Sequence, residues 1–145
     1  MSDILGNLFE MMVANNPDGA WAFAENEGPA VRSQKDPHAC SQPEFVGDSY
    51  YQPNATDPTD DNDRGGVHTN SSLLSQISYK LYQAGMQPND QVYFWMNVAL
   101  STTPSTDFTQ MAQLLPWCMQ QSGYSQYVEP VKAAVDEGKL SEKAS

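Results

Sequence analysis

The chain has 145 residues, of which 39% are hydrophobic and 10% aromatic, enough for one folded domain with its own core. Its net charge of −11, from 18 acidic and 7 basic residues, argues against nucleic acid and against an anionic membrane surface as partners, because both need a basic contact surface. No apolar run is long enough to span a membrane. The N-terminus lacks the basic start of a signal peptide, so we expect either a cytosolic protein or an internal piece of a longer secreted precursor.

The first predicted element is an amphipathic helix over residues 2–14. Ser2 and Asp3 suit its first turn, and apolar residues at helical spacing form a stripe that we expect to be buried, namely Ile4, Leu5, Leu8, Phe9 and Met12. A cluster of turn formers over residues 15–19 ends this helix. The irregular stretch that follows, over residues 17–66, is rich in proline, and loops of such length are usually functional, disordered or held by metal ions.

Four more helices are predicted after His68 from apolar residues at helical spacing. The first has a core face of Leu73, Leu74, Ile77, Leu81 and Ala84 and ends at Gly85. The second spans about residues 89–100, and its predicted core face is Val92, Tyr93, Met96 and Ala99.

The third of these helices begins near Asp107, and Pro116 is expected to kink it because proline removes one backbone hydrogen bond. The fourth spans residues 125–137, and Gly138 ends it; residues 139–145 are expected to form a frayed tail. The sequence therefore predicts a mainly α fold over residues 1–138. About five helices pack as a cluster, with a long irregular acidic loop region between the first and second helices.

Cysteine usage leaves two possibilities open. Cys40 lies in a polar loop and Cys118 in an apolar helical pattern, without the C-x-x-C or Cys/His spacing of a structural zinc site. The two residues could form one disulfide or remain two unrelated thiols.

A candidate chemical site lies around a Gly-Gly turn, where Asp63 and His68 stand on opposite sides of Gly65 and Gly66. The two glycines let the backbone turn without a Cβ clash. An aspartate beside a histidine fixes its tautomer and raises its basicity, so that the pair can act on a substrate oxygen. Taken alone, such a pair is more often a surface hydrogen bond.

Several segments agree with one family in order and approximate spacing. They are Ser2-Asp3-Ile4, Asn16-Pro17-Asp18, Val31-Arg32-Ser33, Gly65-Gly66-Val67-His68 and the turn at Thr103-Pro104. Together they resemble the C-terminal, α-helical half of the thermolysin-like neutral zinc metalloproteases. The resemblance covers most of the chain, and the ordered set is far more specific than any one segment.

The resemblance implies a role for each matching residue in peptide hydrolysis. His68 would donate a hydrogen bond to the oxyanion that forms when zinc-bound water attacks the peptide carbonyl, and Asp63 would orient this histidine. Arg32 would hold a substrate carbonyl, while Phe23 and Val31 would line the pocket for the residue after the cut.

The resemblance also implies metal-related roles. Asp3 would accept a hydrogen bond from a zinc-ligating histidine and so strengthen it as a ligand. Glu10, Asp18 and Glu25 match calcium carboxylates of the family. Ala22 stands where the family has a further calcium-binding glutamate, so we expect a weaker calcium site.

The zinc ligands themselves are missing from the sequence. The H-E-x-x-H motif that supplies two ligands and the general base does not occur, and the third ligand, a glutamate, would lie two positions before Met1. We therefore expect the zinc to be held by an N-terminal metalloprotease half outside this chain, or to be lacking in a natural protein without that half. Arg64 also replaces an asparagine of the family.

Two functions fit these features. The first is the C-terminal domain of a secreted, extracellular zinc metalloendopeptidase, which acts on peptide or protein substrates together with its N-terminal half and is inactive alone. The second is a non-catalytic binding module, a pseudo-peptidase, that presents the old cleft or the acidic loop to a partner. The sequence upstream of Met1 separates them, because only the protease needs an H-E-x-x-H motif followed by a glutamate.

Overall fold

Helices make up most of the computed structural model, which describes residues 1–14, 21–23, 30–53 and 55–142. In chain order they are α1 (Ser2–Ala14), α2 (Asp63–Gly66), α3 (Ser72–Gln83), α4 (Pro88–Ser101), α5 (Phe108–Gln121) and α6 (Val128–Glu137). All but α2, a single turn, have 10 to 14 residues. The mainly α fold with about five substantial helices is thereby confirmed.

In the described residues between α1 and α3, every helix or strand is short. Strand β1 (Ala22–Phe23) pairs antiparallel with β2 (Arg32–Ser33), with Phe23 opposite Arg32. Two 3₁₀ turns follow, at Pro37–Cys40 and at Asp60–Asn62. The region also includes α2, and it carries Arg32, Asp63 and His68 of the candidate site.

Local sequence explains where the helices begin and end. Pro88 starts α4, where its missing N–H is not needed. Asp107 caps α5 by accepting the Gln110 N–H at 2.8 Å, and the Gln110 side chain accepts the Asp107 N–H at 3.0 Å. Gly85 follows α3 with a φ of +98°, as a C-terminal glycine should. Pro116 lies inside α5, which continues beyond it to Gln121.

The core forms where α1, α3, α4, α5 and α6 meet. Its largest fully buried side chains include Trp95, Phe94, Ile4, Leu8, Leu73, Ile77, Leu81, Met86, Leu115 and Met119. Within it, Gln91 is also fully buried, because it accepts hydrogen bonds from Ser78 and Trp95 and donates one to the Met86 carbonyl. A buried amide with all these partners stabilises the packing rather than opposing it.

Two predicted helix faces are wrong in part. On α1 the buried side includes Met11, whereas Phe9 is 63% and Met12 43% exposed. On α4 the structure buries Phe94, Trp95 and Val98 instead of the predicted face, leaving Tyr93 55% exposed. Both helices are apolar on more than one side, so the spacing of apolar residues alone does not select the face that packs.

The first residues of the predicted frayed tail are packed against the rest of the chain. Leu140 is fully buried and its N–H donates to the Val135 carbonyl at 3.2 Å, so ordered packing extends past Gly138 into the predicted tail.

Cys40 and Cys118 are two free thiols rather than a disulfide. Among the described residues, no helix is both long and apolar enough to cross a membrane.

Candidate functional site

The turn α2 is left-handed, with φ values of +51° at Asp63, +49° at Arg64, +81° at Gly65 and +80° at Gly66. Left-handed backbone costs most residues with a Cβ about 1–2 kcal/mol, so Arg64 holds an unfavourable conformation, whereas an aspartate such as Asp63 tolerates it better. Gly66 is required for space as well, because a Cβ there would lie 2.6 Å from the Gln52 Cβ. The chain thus accepts strain at this turn, as functional sites often do.

The side chain of Asn62 holds the entry to this turn. Its Oδ1 accepts hydrogen bonds from the Thr59 N–H at 2.8 Å and from the Gly65 N–H at 3.3 Å. Sequence reasoning missed Asn62. An asparagine shortly before a Gly-Gly pair could have been recognised, because its short amide often bonds to the backbone of the turn that follows.

The Asp63 carboxylate gathers three hydrogen bonds from the segment after the turn. Its Oδ2 accepts the backbone N–H groups of His68 at 3.0 Å and Thr69 at 2.7 Å, and its Oδ1 lies 2.6 Å from His68 Nδ1. Burial alone would raise the pKa of Asp63, but the hydrogen bonds from Thr69 and His68 outweigh it and lower the pKa to about 2. Asp63 is therefore ionised at neutral pH.

An ionised carboxylate can only accept hydrogen bonds, so His68 Nδ1 must carry the proton between them. The neutral ring then has a lone pair on Nε2, and the protonated ring has an N–H there. The His68 side chain is 72% exposed, so a ligand can reach it. The predicted Asp63–His68 pair is thus formed, with Nε2 as the ring nitrogen left for a ligand.

Two side chains donate hydrogen bonds to the backbone carbonyl of His68. Ser71 Oγ donates to the His68 carbonyl at 2.6 Å, and Gln42 Nε2 donates to the same oxygen at 3.3 Å. Gln42 is only 6% exposed. Sequence reasoning missed it, since nothing in the irregular stretch distinguishes this glutamine from the others.

Arg32 and Asp3, both predicted site residues, form an ion pair. Arg32 Nη1 lies 3.0 Å from Asp3 Oδ2, and both side chains are mostly buried. Asp3 and Arg32 also line one internal cavity together with Gln42 and Ser71, the residues that hold the His68 carbonyl. The structure therefore places the Arg32–Asp3 pair next to the segment that carries His68.

The remaining predicted residues are less closely defined. The backbone of Phe23 pairs with Arg32 across the two strands, while its side chain lies outside the described part of the chain. Val31, beside Arg32, is 61% exposed. Glu10 is exposed on α1, whereas Asp18 and Glu25 lie outside the described residues.

The described part of the chain offers few side chains to a metal ion. No group of three or more histidine, cysteine, aspartate or glutamate side chains lies close enough there to hold a metal ion. These described residues do not fit a zinc site. The calcium site stays a prediction, because two of its three expected carboxylates are not described.

A second histidine–aspartate pair, which sequence reasoning missed, lies in the loop after β2. His38 Nε2 is 2.7 Å from Asp48 Oδ2, and the Asp48 carboxylate also accepts the backbone N–H groups of Glu44 at 3.1 Å and Tyr50 at 3.0 Å. The two residues are ten positions apart in irregular chain, so no periodic pattern could have paired them. We call His38 and Asp48 the loop pair.

The loop pair predicts a pH dependence of stability. The hydrogen bond to Asp48 raises the pKa of His38, so its contribution is complete below about pH 6.5 and is lost as the pH rises through the folded-state pKa. Burial opposes the ionisation of Asp48, but hydrogen bonds from Tyr50, His38 and Glu44 lower its pKa to about 2. The contribution of Asp48 is therefore complete above about pH 4 and is lost below it.

We expect His38→Ala to lower the free energy of unfolding most between about pH 4 and 6.5, and less on either side. Urea unfolding of both proteins from pH 3 to pH 9 measures this difference. A difference that does not vary with pH would show that the loop pair acts only through packing.

Comparison with known proteins identifies the family of this chain. The family model described as thermolysin metallopeptidase, alpha-helical domain, matches residues 1–140. A zinc metalloproteinase of Renibacterium salmoninarum is 34% identical over 68% of the chain, and a bacillolysin of Bacillus caldolyticus is 30% identical over 92%. A thermolysin of Alicyclobacillus acidocaldarius subsp. acidocaldarius is also 30% identical over 92% of the chain.

The chain spans only 19% to 26% of the length of these relatives. No solved structure matches it significantly. The family model covers all six helices, from α1 to the end of α6, and includes every residue of the candidate site. The chain therefore belongs to the thermolysin metallopeptidase family and constitutes its α-helical domain.

Proposed function

We propose that this chain forms one wall of the active site of a zinc metalloendopeptidase. The observation that carries the proposal is the contact of His68 Nδ1 with Asp63 Oδ1 at 2.6 Å, on a strained turn that two further hydrogen bonds to Asp63 hold in place. Left-handed backbone costs free energy, and here it holds an exposed imidazole in a fixed orientation. Such a strained turn is more typical of a catalytic site than of a surface hydrogen bond.

His68 acts as a hydrogen-bond donor in this proposal. Attack on a peptide carbonyl leaves negative charge on its oxygen, and a donor fixed in advance stabilises that charge more than it stabilises the substrate. Because Asp63 keeps the proton on Nδ1, Nε2 can donate only when the ring is protonated. Asp63 thus orients the ring.

Arg32 binds the substrate in this proposal. Its ion pair with Asp3 fixes the guanidinium group beside the segment that carries His68, and a fixed arginine can hold a carbonyl oxygen of the peptide in one place. Phe23 and Val31 lie on or next to the strands that carry Arg32, where they would line the pocket for the residue after the cut.

The rest of the active site belongs to an N-terminal metalloprotease half outside this chain. That half would hold the zinc, and this chain alone would be inactive. Calcium would bind through Glu10, Asp18 and Glu25 and stabilise the loop after α1. The full protein would be secreted and would act outside the cell on peptide or protein substrates.

The exposed apolar side of α1 supports the proposal that another domain packs against this chain. Phe9 is 63%, Val13 69% and Met12 43% exposed on a helix whose opposite side is buried in the core. Adjacent exposed apolar side chains on a helix are typical of a surface that another domain covers. We infer that the N-terminal half packs here.

Zinc removal from the full-length protein tests the proposed function. We expect the full-length protein to cleave casein, to lose this activity on treatment with 1,10-phenanthroline, and to recover it when zinc is added back. A full-length protein that binds zinc stoichiometrically but cleaves no peptide, or one whose upstream sequence lacks an H-E-x-x-H motif, would support the binding module instead.

A further inference from the structure

Two buried amide side chains behind the Arg32–Asp3 ion pair have an unpaired polar atom. Asn7 on α1 is 3% exposed, and Gln34, which follows β2, is 4% exposed. Among the described residues, Asn7 Nδ2 and Gln34 Oε1 have no hydrogen-bond partner. A buried polar group without a partner costs about 1–3 kcal/mol, so two of them on neighbouring elements require an explanation.

Gln34 donates hydrogen bonds from its side-chain amide and from its backbone N–H. Its side-chain Nε2 donates to the Asp3 carbonyl at 3.2 Å, and its backbone N–H donates to the Trp21 carbonyl at 2.8 Å. These bonds fix the amide plane and leave Oε1 as the acceptor without a partner. Gln34 therefore cannot satisfy Oε1 by turning its amide without breaking the bond to Asp3.

Both unpaired atoms belong to residues that line the same internal cavity, which measures about 10 Å³. A volume of about 10–15 Å³ is the smallest that holds one water molecule. The two atoms are a donor and an acceptor, and water can accept one hydrogen bond while it donates another. A cation would face the Asn7 N–H group and an anion would face the Gln34 oxygen, so neither suits the cavity as well as water does.

We propose that one buried water molecule occupies this cavity, accepts a hydrogen bond from Asn7 Nδ2 and donates one to Gln34 Oε1. The water joins α1 to the segment that follows Arg32. The cavity wall includes Asp3 and Arg32 as well as Gln42, which donates to the His68 carbonyl. The bridge thus lies beside Arg32 and beside the glutamine that binds the His68 carbonyl, and the water site itself does not depend on the proposed function.

Water exchange measured by NMR on this chain tests the proposal. The Asn7 side-chain amide protons are expected to show a cross-peak to water with the negative sign of a molecule bound for longer than nanoseconds. Asn70 is the matched control: it is 4% exposed, its Nδ2 donates to the Gln52 carbonyl at 2.6 Å, and its Oδ1 accepts the Gln52 N–H at 3.0 Å. Its amide protons should show no such cross-peak.

A variant tests whether the cross-peak of Asn7 comes from the bridging water rather than from water elsewhere in the protein. Gln34→Met removes the acceptor while keeping a side chain of similar length, and we expect the water cross-peak of Asn7 to lose its long residence time. The absence of a long-lived cross-peak at Asn7 in the unaltered chain would overturn the proposal. An unchanged cross-peak in folded Gln34→Met would overturn the bridge to Gln34.

Discussion

Replacing His68 with alanine in the full-length protein is expected to lower kcat about 100- to 1000-fold and to leave KM nearly unchanged, the scale for the loss of one oxyanion donor. The reason is that the Nε2–H group contacts an oxygen whose negative charge develops only in the transition state. Steady-state kinetics on a peptide substrate, with zinc content measured on the same samples, gives the result. Zinc content should not change, because His68 is bonded to Asp63 through Nδ1 and is proposed as a donor rather than a ligand.

The loop pair offers a matched control for this prediction. His38 is also a histidine bonded to an aspartate, at 2.7 Å, but it belongs to a different loop and the proposal gives it no role in catalysis. His38→Ala should therefore retain kcat while showing the pH-dependent loss of stability described above. Equal losses of kcat in the His38 and His68 variants would contradict the assignment of His68 as the donor.

Asp63→Asn is expected to lower both activity and stability. Asparagine keeps the shape of the side chain and tolerates left-handed backbone, so the turn itself should survive. One amide oxygen cannot replace a carboxylate that accepts from His68 N, Thr69 N and His68 Nδ1. We expect kcat to fall about 10- to 100-fold and the free energy of unfolding to fall by about 1–3 kcal/mol.

Urea unfolding and kinetics on the same variant measure these two losses. Asp48→Asn is the matched control, since Asp48 is also a carboxylate bonded to a histidine and to two backbone N–H groups. It should lose stability without losing kcat. An Asp63→Asn protein with unchanged kcat would show that the orientation of His68 does not limit the reaction.

The sequence predicts some features of this fold better than others. Apolar residues at helical spacing locate α3, α5 and α6, and on α3 they also locate buried positions such as Leu73, Ile77 and Leu81. The same signal assigns the wrong faces to α1 and α4, because each carries apolar residues on more than one side. Packing against neighbours, which spacing does not contain, decides between those faces.

The contacts of the candidate site also differ in how well the sequence predicts them. Asp63 and His68 are five residues apart around a Gly-Gly turn, so local sequence is enough to predict their contact. The Arg32–Asp3 ion pair joins β2 to α1, two elements that are distant in the sequence, and it forms only because β2 returns the chain to α1. Gln42 depends in the same manner on how the loop after β2 folds back toward His68.

Zinc analysis and a casein assay on this isolated chain test most directly the central claim that it carries only one wall of the active site. The account predicts that the purified chain binds no stoichiometric zinc and cleaves no casein, because no group of three or more possible zinc ligands lies together in its described residues. Stoichiometric zinc together with robust proteolysis by this chain alone would contradict it.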